Sequence, residues 1–512
     1  MQSRVQPTLP YSATIANIPA APRDVLRRRL AWALVILGVG FRLGAYLWNT
    51  GFWYDEGWLI QSLQDKSFLG LVGPLANDQA APLLYLWLLK CLYLLGGLNE
   101  SLLRAPSLLA AVGGMVLMWP LARRMVRPSA IIWALALLAA SDNILIYCAR
   151  TKPYAMDAMA TMVLLYAAVR LKDASPTRAI LTIGAIGAGL FWFSYPSCFV
   201  YGGVAIMLGL KVLRSRRRRD WVAFIAVNAI VAASMWGLMK LTASDLRTGM
   251  LVEYWGRRGF PMGFDRVMKW PLDATYRQFE EAMRPIGAFA LVMSALGAAA
   301  MWRDRTRRFQ LGLLVLPLLL NIAAGCLRRY PWVGGRLSMY NIPILVLLTA
   351  EGWAEVIAWL RRTRERAWLP RPVALRIAFT IGIVAVGVPI VLAVYHVAWV
   401  GHRSTHGRPL AMHVLKNARE GDRIVIAGAN EFGIYFRGRC ELPIAGGDYY
   451  SPPPHSVLDK SDWTRLWLLV RKRPKSLMAV AIPFLERYET VWADRRDTAD
   501  LYLLAPPAEA TP

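Results

Sequence analysis

No histidine precedes His396 in this chain of 512 residues; the five copies are His396, His402, His406, His413 and His455. Imidazole acid–base catalysis is therefore excluded from the long apolar part of the chain. His402 and His406 are spaced like metal ligands on a helix, but no third ligand lies near them in sequence, so no metal site is expected. The five cysteines, Cys91, Cys148, Cys198, Cys326 and Cys440, are too scattered for a disulfide framework, and no Cys/Cys or Cys/His spacing suggests zinc. No Gly-rich phosphate loop follows a strand, which argues against a nucleotide-sugar pocket. Neither a fixed-period repeat nor a low-complexity tract occurs beyond Arg-rich loops. Acids are scarce as well, 33 against 60 Lys and Arg, and the apolar runs hold almost none. A transporter or flippase would bury ionisable groups at mid-span and interrupt paired segments in two halves; neither feature is evident.

What is abundant is apolar. At 56% hydrophobic residues, arranged in blocks rather than amphipathic stripes, the chain reads as a polytopic membrane protein. Runs of roughly 17 to 25 apolar residues recur from Leu30 to Trp399, and in lipid such spans must be helical. The net charge of +27 does not mark a nucleic-acid partner, because the cations alternate with the spans. They cluster at Arg27 to Arg29, at Arg123, Arg124 and Arg127, at Arg170, Lys172 and Arg178, at Arg214 to Arg219, at Arg303 to Arg308, and at Arg361 to Arg376. Such clusters mark the cytoplasmic side, and two apolar segments separate each consecutive pair. The count is about 11 spans, with residues 1–29 cytoplasmic, a membrane domain at 30–399 and an outer segment at 400–512. The first apolar run has no small-residue cleavage site after it and reads as a retained signal anchor. Pro82 to Leu95 is marginal in length, so it reads as an outer-surface helix, with Leu102 to Leu121 as the second span.

Beyond Gly401 the pattern changes to that of a small soluble α/β domain. Arg423 to Ala429, Leu466 to Val470 and Leu501 to Leu504 are strand candidates, with helical stretches at Pro409 to Glu420 and Lys475 to Tyr488. Ser451 to Pro454 reads as a rigid loop. The glycines between Ile183 and Leu190 read as helix-packing positions.

Chemistry-bearing residues gather on the outer side. Asp55 and Glu56 follow the first span, and Asn77, Asp78 and Gln79 precede the surface helix. Arg104 opens the second span; Arg150, Lys152, Tyr154 and Asp157 occupy the next outward turn. A loop from Thr242 to Arg284 carries Asp245, Glu253, Tyr254, Arg257, Arg258, Asp265 and Lys269, and Tyr330 and Arg336 flank a Gly-Gly turn. Charges at the mouth of a membrane domain are expensive to desolvate and are usually kept for ligands or chemistry. A sugar on a polyprenyl phosphate needs cations to hold the phosphate, and an acceptor hydroxyl needs a carboxylate to take its proton.

The ordered set Trp53-Tyr54-Asp55-Glu56-Gly57, Asp78-Gln79-Ala80-Ala81-Pro82-Leu83-Leu84-Tyr85 and Leu103-Arg104-Ala105-Pro106-Ser107-Leu108 resembles the opening of bacterial GT-C membrane glycosyltransferases. The branch it is similar to holds the protein mannosyltransferases, the aminoarabinose transferases and lipopolysaccharide-modifying relatives. Ala149 to Asp157, and Tyr330-Pro331 through Arg336 to Pro343, resemble later motifs over roughly the first 350 residues. The resemblance implies an inverting transfer from a polyprenyl-phosphate sugar to a cell-envelope acceptor, at the periplasmic face of a bacterial inner membrane. It also implies Asp55 as base or acceptor-binding carboxylate with Glu56 as its supporting partner. Where many relatives carry a His or Lys before the proline of the second motif, this chain has Gln79-Ala80-Ala81. Phosphate binding then falls on Arg150, Lys152 and Arg336. Asp78, Gln79, Arg104, Tyr154, Asp157 and Tyr330 complete the expected substrate site. No cofactor is expected, and whether a divalent cation assists stays open.

Overall fold

A computed structural model describes residues 22–76, 79–242, 255–256, 259–261, 264–362, 371–400, 407–427, 430–436, 444–446, 464–471, 484–496 and 499–505. The chain is a multi-pass helical membrane protein with a small sheet at its carboxyl end. Among the described residues, seven helices are long and apolar enough to span a bilayer, and nine if each of two bent pairs is one span. The seven contain α1 (Pro22–Leu47), α4 (Glu100–Met125), α9 (Ser197–Ser215), α10 (Arg218–Thr242), α13 (Arg308–Cys326), α14 (Ile342–Arg362) and α15 (Arg371–Tyr395). The bent pairs are α5 (Ile131–Ala139) with α6 (Asp142–Cys148), at 49°, and α11 (Phe264–Ala282) with α12 (Gly287–Arg303), at 112°. The shorter α7 (Tyr154–Arg170) and α8 (Pro176–Phe191) pack into the same bundle, so the seven to nine spans among the described residues are fewer than the about 11 expected from the alternating Arg clusters.

Two outer helices stand apart from the spans. α2 (Tyr54–Asp65) carries the acid pair in its first turn. α3 (Leu83–Gly96) has 14 residues, about 21 Å of helix against the ~30 Å a bilayer demands. Its Lys90 is buried and donates to the Leu63 carbonyl at 2.5 Å, tying α3 to the end of α2.

α14 is the central helix: 78% of its apolar stretch is buried, against 11% for α10 and 22% for the span of α15. The main core joins α14 to α4, α5, α7 and α9. The glycines of α8 serve packing, as expected: a Cβ at Gly184 would strike Val227, and one at Gly187 would strike the Tyr201 ring. A cation lies inside the bundle. Arg42 of α1 is fully buried without an acid partner, donating instead to the carbonyls of Gly38 at 2.7 Å and Leu138 at 3.0 Å. The carbonyls of Leu138 and Ala139 lie where α5 breaks, so the guanidinium adds to the capping of a helix end. On the Arg-rich face, buried Glu351 of α14 accepts from Arg127 at 2.6 Å and from Arg307 at 3.0 Å.

The carboxyl-terminal sheet has five strands, β1 (Asp422–Ala427), β2 (Ile444–Gly446), β3 (Arg465–Arg471), β4 (Glu489–Arg495) and β5 (Ala499–Ala505), in the order β2-β1-β3-β5-β4. β1 pairs in parallel with β2 and β3, whereas β5 pairs antiparallel with β3 and β4. Three strands match the expected segments; β2 and β4 do not. β4 alternates poorly and lies exposed at the sheet edge, so its sequence carries no period-2 signal. α16 (Gly407–Asn417) and α17 (Asn430–Phe436) cover one sheet face. Of the expected helix Lys475 to Tyr488, residues 484–487 are helical and 472–483 lie outside the described residues. Leu410, Ile424, Tyr435 and Trp467 form one core with Phe52, Ile60 and Leu103, which docks the sheet domain against the base of α2.

Candidate active site

The site is assembled by three turns at the acid-bearing face. At the first, α2 starts because Glu56, at its third position, accepts the Trp53 backbone N–H at 2.9 Å, half of a capping box. Asp55 and Glu56 therefore share the first helical turn, where the helix dipole favours negative charge. The second turn, Ala149 to Pro153, links α6 to α7, and the Ser107 hydroxyl holds it by donating to the Lys152 carbonyl at 2.8 Å. The third is the Gly-Gly turn before α14. Gly335 has φ +80°, a left-handed value, and a Cβ there would meet the Glu281 carboxylate at 2.8 Å. The left-handed backbone of this turn, immediately before Arg336, is what favours glycine there.

The two acids are handled differently. Glu56 is 1% exposed and saturated: it accepts from Arg104 Nε at 3.0 Å and Nη2 at 2.9 Å, from Arg150 at 3.1 Å, from the Thr151 backbone at 2.6 Å, and from Trp53. Burial alone would raise its pKa, but the charges and hydrogen bonds of Arg104 and Arg150, with the Thr151 N–H, outweigh it and hold the group at about 2. Such a carboxylate is fixed in its ionised form and has no lone pair to spare for a substrate proton. Asp55, one residue earlier, points the other way and pairs with Arg336 in an ion pair that is partly open to solvent.

Asp55, Glu56, Arg150, Lys152 and Arg336 line one cavity of about 250 Å³, with Trp53, Tyr147, Trp255 and Glu281 as its other principal walls. Arg150 lies 4.6 Å from the Trp53 ring centroid and Arg336 6.0 Å from that of Trp255, so aromatic faces steady both guanidiniums. Lys152 is buried, and its ammonium donates to Gln79 Oε1 at 2.7 Å. Burial lowers its pKa to about 7, against the opposing pull of Glu56.

Five of the expected site residues thus meet at the cavity, and two more support it. Arg104 is 1% exposed and serves Glu56, while Gln79 orients Lys152. Tyr154, Asp157 and Tyr330 do not line the cavity. Pro153 opens α7 earlier than the expected turn allows, so Asp157 is buried in the first helical turn rather than outward. Tyr154 packs edge-on against Tyr147, and Tyr330 donates to the Leu337 carbonyl at 3.0 Å. Asp78 lies outside the described residues, as do Asn77, Asp245, Glu253, Tyr254, Arg257, Arg258, His402, His406, Cys440 and the Ser451 to Pro454 loop. Glu281, Tyr147 and Trp255 are not singled out by sequence, and Trp53 is marked there only as part of the acid motif. Histidine also comes closer than expected: His396, at the outer end of the last span, lies 3.5 Å from Asp142 at the start of α6.

The sheet domain reaches the same machinery. Tyr435 donates to Glu100 at 2.8 Å and accepts the Phe52 backbone N–H at 3.1 Å, while Arg408 pairs with Glu100 at 3.1 Å. Arg104 in turn donates to the carbonyls of Thr50 and Gly51, so the strand leading into the acid pair is held from both sides.

No protein-family profile and no curated protein sequence matches the chain. Solved structures do. ArnT from Cupriavidus metallidurans bound to undecaprenyl phosphate aligns with a TM-score of 0.55 at 15% identity, over 96% of this chain and 100% of that one. The Archaeoglobus fulgidus oligosaccharyltransferase tethered to an acceptor peptide aligns with a TM-score of 0.53 at 11% identity, over 91% of this chain and 72% of that one. A second structure of the archaeal enzyme, with an inhibitory peptide and a dolichol phosphate, gives 0.51 at 12%, over 96% and 75%. At such identities it is the backbone arrangement that is shared: the chain has the fold of these structures.

Proposed function

We propose that the chain is an inverting glycosyltransferase that moves a sugar from a polyprenyl-phosphate donor to a cell-envelope acceptor. The observation that carries this reading is the division of the acid pair: Glu56 is locked in a cationic cage, while Asp55 faces a cavity that also holds Lys152, Arg150 and Arg336. Lys152 and Arg336 hold the donor phosphate. As the phosphate takes Arg336, the Asp55 carboxylate is released to accept the proton of the acceptor hydroxyl. The acceptor oxygen attacks the anomeric carbon, the bond from that carbon to the phosphate oxygen breaks, and the electron pair leaves on the polyprenyl phosphate beside the cations. The neighbours' ligands, undecaprenyl phosphate, dolichol phosphate and peptide, support a lipid-phosphate donor in general. Membranes supplied with a panel of radiolabelled polyprenyl-phosphate sugars should transfer one label to an endogenous acceptor; labels that cross the bilayer without covalent transfer would point to a flippase.

The Arg clusters support a reading in which the acid-bearing face lies away from the cytoplasm, and the family resemblance supports the periplasmic side of a bacterial inner membrane. Alkaline phosphatase fused after Trp399 should be active and fused after Arg219 inactive. The opposite pattern would move the acids to the cytoplasm and remove the donor assignment.

Donor binding should depend on pH through Lys152. With its pKa lowered to about 7, the ammonium that meets the phosphate is present below that pH and is lost above it, so apparent donor affinity should fall toward tenfold per unit on the alkaline side. Lys152→Arg should flatten this limb, because a guanidinium stays charged. Lys152→Ala and Arg336→Ala should each raise the donor requirement at least tenfold, from about 1.5–3 kcal/mol of charge-assisted bonding. Unchanged donor titrations in both would take these residues out of the site.

A further inference from the structure

A second and larger cavity lies far from this chemistry. Between α9, α12 and α13, on the Arg-rich face, lies a groove of about 1300 Å³. It is remote from the catalytic cavity: α7 begins beside Lys152 and ends at Arg170, next to groove residue Lys172, about 25 Å away along the helix. The groove's walls are apolar, with Ile206 and Leu210 on one side and Val315 and Leu319 on the other. Its mouth is cationic. Lys172, Lys211, Arg214, Arg303, Arg305 and Arg308 line it against one acid, Asp173.

The alternation of charge across the membrane explains why cations lie on this face; of the six, Lys172 pairs with Asp173 at 4.0 Å, but the alternation does not explain why three others stay unpaired. Elsewhere on the same face, Arg127 and Arg307 are paired with the carboxylates of Glu351 and Glu355. In the groove, Arg214, Arg303 and Arg305 form no ion pair among the described residues. A second, independent observation comes from Gln310. It lines the groove and is 8% exposed, yet its side-chain oxygen has no hydrogen-bond partner among the described residues. An amide whose two ends are interchangeable at its position can turn its N–H groups to an anion. From Gln310 to Leu319, α13 supplies about 14 Å of apolar wall beneath that polar end. Trp302, 63% exposed with Arg308 stacked 5.1 Å from its ring centroid, sits at the mouth as an interfacial anchor.

We propose that this groove is a binding site for an anionic phospholipid, its phosphate held by Arg303, Arg305 and Gln310 and its two acyl chains lying along α9 and α13. A headgroup anion meets unpaired cations there, and the chains cover surface that would otherwise face loosely packed lipid. The inference is independent of the reaction assigned to the other face.

The test uses the full-length protein, purified in neutral detergent and titrated with phosphatidylglycerol or phosphatidylcholine, with retained lipid counted by native mass spectrometry. Phosphatidylglycerol should be retained preferentially. The double variant Arg303→Gln/Arg305→Gln should weaken it by about 25-fold, at about fivefold for each cation near a membrane surface. Arg218→Gln/Arg219→Gln, exposed cations on the same face but outside the groove, should leave it unchanged. Equal retention of phosphatidylcholine, an unaffected Arg303/Arg305 variant, or an equal loss in the Arg218/Arg219 variant would each overturn the site. The last would reduce the effect to diffuse surface charge. Thermal unfolding of each variant in lipid-free detergent separates lost binding from lost folding.

Discussion

Asp55→Asn should lower the rate of sugar transfer by about 100- to 10,000-fold, the usual loss when a positioned general base is removed. The substitution keeps the size of the side chain and a hydrogen-bond acceptor for Arg336, so the ion pair that closes the cavity weakens without leaving a hole. Only charge and basicity are deleted. Donor binding should survive, and even tighten, because Arg336 no longer has to leave a carboxylate to meet the phosphate. This combination, slow turnover with undiminished donor affinity, separates a base from a residue that merely shapes the site, for which both would fall together. The measurement is transfer by purified protein under donor saturation. Near-wild-type turnover would end the base assignment, and it would suit an acceptor that is already ionised at neutral pH and needs no proton removed.

How much of this was legible in sequence depends on the kind of signal. The multi-pass helical character was, because apolar runs are local and additive, although the described helices give seven to nine spans where the alternation of charge implied about 11. The bend between α11 and α12 was not, since their joint composition passes as one segment whereas the 112° turn is set by tertiary packing. The acid pair stood out for its cost at a membrane mouth. Its division of labour did not: Asp55 and Glu56 differ by one position in the first turn of α2, and that step of about 100° turns one side chain into the bundle and the other into the cavity. Arg104 read equally well as a headgroup anchor, and its role depends on a partner 48 residues away. Glu281 and Trp255 gave no signal: Glu281 sits on the amphipathic helix α11, whose charged positions read as an ordinary solvated face, and nothing in sequence points Trp255 at the cavity. The contact of Tyr435 with Phe52 joins parts of the chain 383 residues apart, beyond anything that spacing can reveal.

Breaking the Glu56–Arg104 pair from one side should destabilise the protein by about 3 to 5 kcal/mol, the usual result of leaving one buried charge without its partner. Glu56→Gln does this with almost no change in volume. The new amide offers one oxygen where the carboxylate took five N–H donors, and its own N–H2 then faces guanidiniums. The penalty is a matter of pairing rather than of charge as such, so Glu56→Gln/Arg104→Met should recover a large part of the loss. Acid titration gives an independent check of sign. The Glu56 pKa is depressed in the folded protein, from an ordinary 4.5 to about 2, so its contribution is fully present above pH 4.5 and disappears as the pH falls toward 2. That shift corresponds to about 3 kcal/mol, in line with the cost of breaking the pair. Wild-type protein should therefore lose apparent melting temperature steeply across this window, and Glu56→Gln should start lower and lose less. Single-variant losses that simply add in the double variant, or an acid limb that is the same with and without Glu56, would mean that the cage around this carboxylate contributes nothing to holding the site together.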